Sequence, residues 1–93
     1  MLAQKILVVD DNEDWVELVK LWLKTAGYQD LLIAGTGADA VALARKALPD
    51  CILLDLALPD IDGLEVCKTM RSIPALGKTP IVMLTAHRKD KIM

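Results

Sequence analysis

Three short apolar runs of this 93-residue chain stop on side chains that carry oxygen. Ile6-Leu7-Val8-Val9 stops on Asp10-Asp11, Cys51-Ile52-Leu53-Leu54 on Asp55, and Ile81-Val82-Met83-Leu84 on Thr85. Carboxylates brought together repel one another unless a cation lies among them. Hard oxygen donors from only a few side chains suit Mg²⁺, which keeps several waters and commonly bridges to a phosphate. A carboxylate beside such an ion can attack phosphorus and form an aspartyl phosphate. A hydroxyl such as that of Thr85 can then hydrogen-bond the product. Taken singly, each residue has a plainer reading. An Asp after a strand is commonly a turn residue or a helix cap, and a Thr readily ends a strand or bonds nearby backbone. The chemical reading rests on their coincidence at one edge of a sheet.

That edge depends on the elements between the motifs. The apolar runs are β-branched-rich and continuous, as expected of strands covered on both faces. Leu31-Leu32-Ile33-Ala34 is another such run. Asp10-Asp11-Asn12 breaks the first strand, and a helix is expected from about Glu13 to Ala26. Its wet face carries Glu13, Glu17, Lys20 and Lys24, while Val16, Leu18, Val19, Leu23 and two Trp cover the rest. Gly27 stops it. Thr36 is a plausible N-cap for an Ala-rich helix Ala38 to Leu48, closed by Pro49-Asp50. Gly63 begins a third helix running to about Arg71, and Pro74 and Gly77-Lys78-Thr79-Pro80 form a loop. The order βαβαβαβ predicts a parallel sheet with helices on both faces. Ligands of such sheets gather outside the carboxyl ends of the strands. With the first and third strands as neighbours, Asp10, Asp11 and Asp55 converge there.

Bulk properties narrow the function classes. The chain is 54% hydrophobic with almost no aromatics, so Leu, Val, Ile and Ala must fill one small core. A net charge of −2 and the short, interrupted run Arg88-Lys89-Asp90-Lys91 give no basic face for nucleic acid. No apolar run approaches the ~20 residues that cross a bilayer, and the start has no signal-peptide pattern. Cys51 and Cys67 read as reduced core thiols of a cytoplasmic protein. Gly35-Thr36-Gly37 is too short to cradle a nucleotide phosphate, and no Gly-x-Gly-x-x-Gly follows the first strand. His87, the sole histidine, reads as a loop residue rather than a proton-transfer group.

Asp10-Asp11, the segment Asp55-Leu56-Ala57-Leu58-Pro59-Asp60-Ile61-Asp62-Gly63, and Pro80-Ile81-Val82-Met83-Leu84-Thr85-Ala86 together resemble three signatures of bacterial response-regulator receiver domains. Their order and spacing span the whole chain, read as one domain over residues 1–93. The resemblance implies a flavodoxin-like open sheet, with the family's full order 2-1-3-4-5. It implies phosphorylation of Asp55 by a histidine kinase or phosphotransfer protein. Asp11 would bind Mg²⁺ directly, Asp10 mainly through a water, and Ala57 through its backbone carbonyl. Thr85 would be the switch hydroxyl, and Pro59 and Gly63 would shape the loop that presents Asp55.

The chain also departs from the family pattern. It stops just after Thr85-Ala86, so only four strands, in the order 2-1-3-4, are expected. The fifth strand and the last helices are missing, and with them the family's phosphate-pairing lysine and aromatic switch residue. Lys89 and Lys91 are poor substitutes. The expectation is a truncated receiver that holds metal but is impaired in phosphoryl chemistry. The exposed edge of the fourth strand and the uncovered apolar faces, including that of Trp15 and Trp22, predict self-association. A non-signalling assembly module is the competing reading.

Overall fold

A computed structural model describes residues 2–84. Four strands, β1 (Leu2–Val9), β2 (Tyr28–Ala34), β3 (Cys51–Asp55) and β4 (Ile81–Leu84), alternate with helices α1 (Glu13–Thr25), α2 (Gly37–Ala47) and α3 (Gly63–Arg71). A 3-10 turn at Pro74–Leu76 precedes β4. The strands form one sheet in the order β2-β1-β3-β4, every pair parallel. This is the flavodoxin-like arrangement and strand order that the sequence predicts.

The pleat divides β1 between two cores, because successive side chains point to opposite faces. Leu7 and Val9 join Ile52 and Leu54 of β3 beneath α2 and α3, where Ala40, Ala44, Val66 and Met70 are fully enclosed. Ile6 and Val8 join Val19 on the opposite face beneath α1, with Trp15, Leu23 and Leu53 partly buried around them. β1 is thus covered on both faces, which explains its unbroken apolar run. Burial of one such side chain contributes roughly 1.5–3 kcal/mol.

Register brings the chemistry to one edge. Val9 pairs with Leu54 and with Ala34, so β1, β2 and β3 end level. Asp10 N–H donates to Ala34 O at 3.0 Å just past that line. α1 starts where Asn12 Oδ1 accepts the Trp15 N–H at 3.1 Å. It ends before Gly27, whose φ of 104° is the left-handed value that stops a helix. Cys51 and Cys67 are both free and half-buried, and burial pushes the Cys51 thiol above its ordinary range.

Some element limits differ from expectation. β1 and β2 start earlier, at Leu2 and Tyr28, because the parallel ladder continues through the polar pair Lys5 and Asp30. α2 runs from Gly37 to Ala47, with Leu48 as its left-handed C-cap at φ 50°. Leu18 and Trp22, expected on the covered side of α1, are 38% and 53% exposed.

Candidate phosphoacceptor and metal site

Asp55 is the last residue of β3, held by the ladder opposite Leu84. Its carboxylate is 1% exposed, and Asp10, one residue past β1, is 2% exposed. Asp11 lies beside them and is open to solvent. One carboxylate oxygen from each of the three falls within 4.8 Å of the others. The predicted convergence of Asp10, Asp11 and Asp55 is therefore present in the fold.

Each carboxylate has a local reason for its orientation. Asp10 Oδ1 accepts the Asn12 N–H at 2.9 Å, an Asx turn that carries the chain into α1. The capping role that Asp10 would have alone and its place in the cluster are thus compatible. Asp55 Oδ1 accepts the Ala57 N–H at 3.0 Å, fixing the ring of atoms that starts the β3–α3 loop. Asp55 Oδ2 is buried and accepts no hydrogen bond from the described residues. Leaving a carboxylate oxygen buried in this way costs free energy unless a cation or donor reaches it.

Mutual repulsion adds to that cost. Two unit charges ~4 Å apart repel by about 4 kcal/mol at an effective dielectric near 20. Lys20 lines the adjoining cleft of about 560 Å³, but Glu13, Asp14 and Glu17 line it too. Lys20 Nζ lies 3.3 Å from Glu17, an exposed pair of small energetic weight. An all-oxygen set of two buried carboxylates and one exposed carboxylate, with an unsatisfied Asp55 oxygen, fits a hard divalent cation such as Mg²⁺.

The β3–α3 loop is shaped by close approach. Gly63 N–H donates to Leu56 O at 3.1 Å. A Cβ on Gly63 would stand 2.6 Å from Leu56 Cα and 2.8 Å from Asp55 O, so no larger residue fits without moving the acceptor's own backbone. Asp62 Oδ1 caps α3 through the Leu64 N–H at 2.8 Å. Ala57 is exposed at the mouth of the site. Thr85 and His87 lie outside the described residues, as do Lys89 and Lys91.

One residue of this region escaped sequence reasoning. Asp60 reaches across to α2 and accepts the Gly37 N–H at 2.7 Å and the Ala38 N–H at 3.1 Å. The Gly37 N–H is the main cause holding its carboxyl below the ordinary 3.8. An Asp in a Pro-Asp loop signals only a turn, and its partners stand 23 and 22 residues away.

A parallel sheet of this order, with an acidic cluster past its first and third strands, places the chain in the flavodoxin-like α/β class. The response regulator receiver domain family model matches residues 6–93, and the chain belongs to that family of two-component signalling proteins. It is 44% identical to the alkaline phosphatase synthesis transcriptional regulatory protein PhoP of Bacillus subtilis, over 99% of this chain and 38% of that protein. The chain thus spans about two fifths of that relative's length. Among solved structures, it resembles the receiver domain of sensor histidine kinase PA1611 from Pseudomonas aeruginosa, at 31% identity and a TM-score of 0.86. That match covers 92% of this chain and 70% of the other, which carries a magnesium ion coordinated in its active-site cleft. Chemotaxis protein CheY4 of Vibrio cholerae is 36% identical with a TM-score of 0.85, over 94% and 72% of the two chains. Among the described residues, no helix is long and apolar enough to cross a membrane.

Proposed function

We propose that this chain acts as the phospho-accepting domain of a two-component response regulator, taking a phosphoryl group on Asp55 from a histidine kinase or phosphotransfer protein. The observation that carries this reading is the buried Asp55 oxygen that no described donor satisfies, on a carboxylate that brings one of its oxygens within 4.8 Å of two further carboxylates.

Asp55 Oδ1 is held by the Ala57 N–H, which leaves Oδ2 to attack phosphorus. The new bond is O–P, the bond broken is the donor's phosphorus–nitrogen bond, and the electron pair stays on the departing imidazole. Asp10, Asp11, Asp55 and the Ala57 carbonyl would hold Mg²⁺. When bound, that ion supplies the positive charge that offsets the phosphoryl oxygens and the clustered carboxylates. Thr85 is assigned the hydroxyl that hydrogen-bonds the phosphorylated product. The whole chain, residues 1–93, is read as one domain with a cytoplasmic role.

Incubation with Mg²⁺ and a small acyl-phosphate donor, followed by intact mass measurement, tests the assignment. Wild type is expected to gain one phosphoryl adduct and Asp55→Asn none. An adduct of equal yield on Asp55→Asn would defeat it.

A second reading, assembly with another copy of the chain, is favoured by a different observation. Leu21 and Trp22 on α1 are 60% and 53% exposed, and Val82 on β4, the edge of the sheet among the described residues, is 47% exposed.

A further inference from the structure

The first N–H groups of a helix have no partner within it and must find one outside. In α2 the account closes in two parts. Thr36 Oγ1 accepts the Asp39 N–H at 3.1 Å. The two preceding donors, Gly37 and Ala38, are taken by Asp60, a residue of the β3–α3 loop. Asp60 is thus a cap delivered from elsewhere in the chain, its charge matched to the positive end of the helix.

The contact is more than a surface hydrogen bond, because the same two segments also touch through apolar atoms. Gly37 is buried, and a Cβ there would meet Val66 Cγ2 at 2.8 Å and Ile61 Cβ at 3.1 Å. Only a glycine lets the start of α2 lie this close to the loop and to α3.

The tie links the segments that carry the acidic cluster. Asp10 N–H is bonded to Ala34 O. Three residues on from Ala34, the Gly37 N–H is bonded to Asp60. Five residues back along the loop from Asp60 stands Asp55, and β1 and β3 are paired directly. The direct pairing of β1 with β3 fixes the backbone from which Asp10 and Asp55 project, and the Asp60 bonds add a second tie that limits movement of the loop carrying Ala57.

We infer that Asp60 is a positioning residue for the metal and phosphoryl site: by clamping the β3–α3 loop to the start of α2, it sets the spacing of Asp55 and Ala57 relative to Asp10 and Asp11. This inference rests on the phosphoacceptor reading above. Partners that orient groups around a metal, without touching it, commonly change its affinity by about 10- to 100-fold when removed.

The test compares the full 93-residue wild type with Asp60→Ala and Asp60→Asn. Mg²⁺ affinity is read by titration calorimetry and phosphoryl uptake by intact mass at saturating Mg²⁺. The melting midpoint in chelator is the control for a merely structural role. Asp60→Ala is expected to weaken Mg²⁺ binding about tenfold and to slow uptake. Asp60→Asn keeps one acceptor oxygen and is expected to recover part of both. Variants that melt earlier yet bind Mg²⁺ and take up phosphoryl like wild type would overturn the inference, leaving Asp60 a helix cap alone. Should Asp60→Ala fail to fold, Asp60→Asn decides: wild-type affinity overturns the inference and weakened affinity upholds it. A wild type that neither binds Mg²⁺ nor gains an adduct would remove the phosphoacceptor reading and this one with it. A working wild type with unaffected variants removes only the role of Asp60.

Discussion

Asp10 and Asp55 are carboxylates kept from water beside each other, with Asp11 at the rim. The buried Asp55 Oδ2, with no described donor, lowers the stability of the metal-free protein. Asp55→Asn is therefore expected to melt later in chelator, with a gain in unfolding free energy on the order of 1–2 kcal/mol. Added Mg²⁺ should reverse the ranking. It stabilises wild type by about 2.7 kcal/mol at 100 times its dissociation constant, and does so far less for the variant. Thermal melts with and without Mg²⁺ measure both effects; a destabilised Asp55→Asn in chelator would show that the trio is not strained. Gly63 gives a second prediction at this scale. A methyl group there drives into Leu56 Cα and Asp55 O, so Gly63→Ala should cost roughly 1–3 kcal/mol and reduce phosphoryl uptake together. Loss of stability with full uptake would show that the backbone of Asp55 yields without consequence. The acidic trio and Gly63 were legible in the sequence because each sits where an apolar run or a loop ends. Asp60 was not, since a hydrogen bond across 23 residues leaves no periodic trace.

The elements show where local signals suffice and where the ladder overrides them. The starts of α1 and α2 follow from Asn12 and Thr36, ordinary capping residues, the second of them in its expected place. The starts of β1 and β2 do not, because Lys5 and Asp30 pair through backbone although neither side chain is apolar, Lys5 Nζ donating to Ala47 O and Asp30 being exposed. The stop of α2 is another case. Leu48, not a glycine, takes the left-handed cap at φ 50°, with its side chain half exposed. An ordinary residue in that conformation costs about 1–2 kcal/mol, offset in part by the greater chain entropy that glycine loses on folding. Leu48→Gly is accordingly expected to stabilise by up to about 1 kcal/mol, read from the midpoint of chemical unfolding. A clear loss would mean that the Leu48 side chain contributes more contact than its exposure suggests. The link between α2 and the β3–α3 loop carries a pH signature. Asp60 has its folded carboxyl held below the unfolded value of 3.8. Its contribution is therefore present above that value and lost as pH falls through the lower folded one. In acid titrations of stability, the gap between wild type and Asp60→Asn should be constant near neutral pH and close below 3.8. A gap that persists at lower pH would place the effect of the substitution elsewhere.

At the scale of the whole molecule, the two faces of the sheet are unequally covered. α2, α3 and the 3-10 turn enclose one core that includes Leu7, Ile52, Leu54, Met70 and Leu76. On the other face α1 packs over Ile6 and Val8, while its own Leu21 and Trp22 turn outward. Trp15 and Trp22 stack edge to face, with centroids 5.8 Å apart, so the exposed indole has a fixed orientation. β4 closes the described sheet at one edge, with Val82 and Met83 partly open. Edge strands offer unpaired backbone groups to a second sheet, and apolar patches on a monomer commonly mark interaction surfaces. The sequence pointed to these faces through the spacing of the tryptophans and the apolar content of β4. Sequence could not show how much of α1 turns outward, since Leu18, Leu21 and Leu23 look alike until the helix is set against the sheet. Self-association through these surfaces predicts a mass that rises with concentration when size-exclusion chromatography is coupled to light scattering. Leu21→Glu and Val82→Glu place charge on exposed positions of the two surfaces. The variant that returns the chain to monomer mass identifies the surface used, because the folded monomer has no need of either apolar group. A wild type that stays monomeric across the whole range would show that neither face joins copies of the chain.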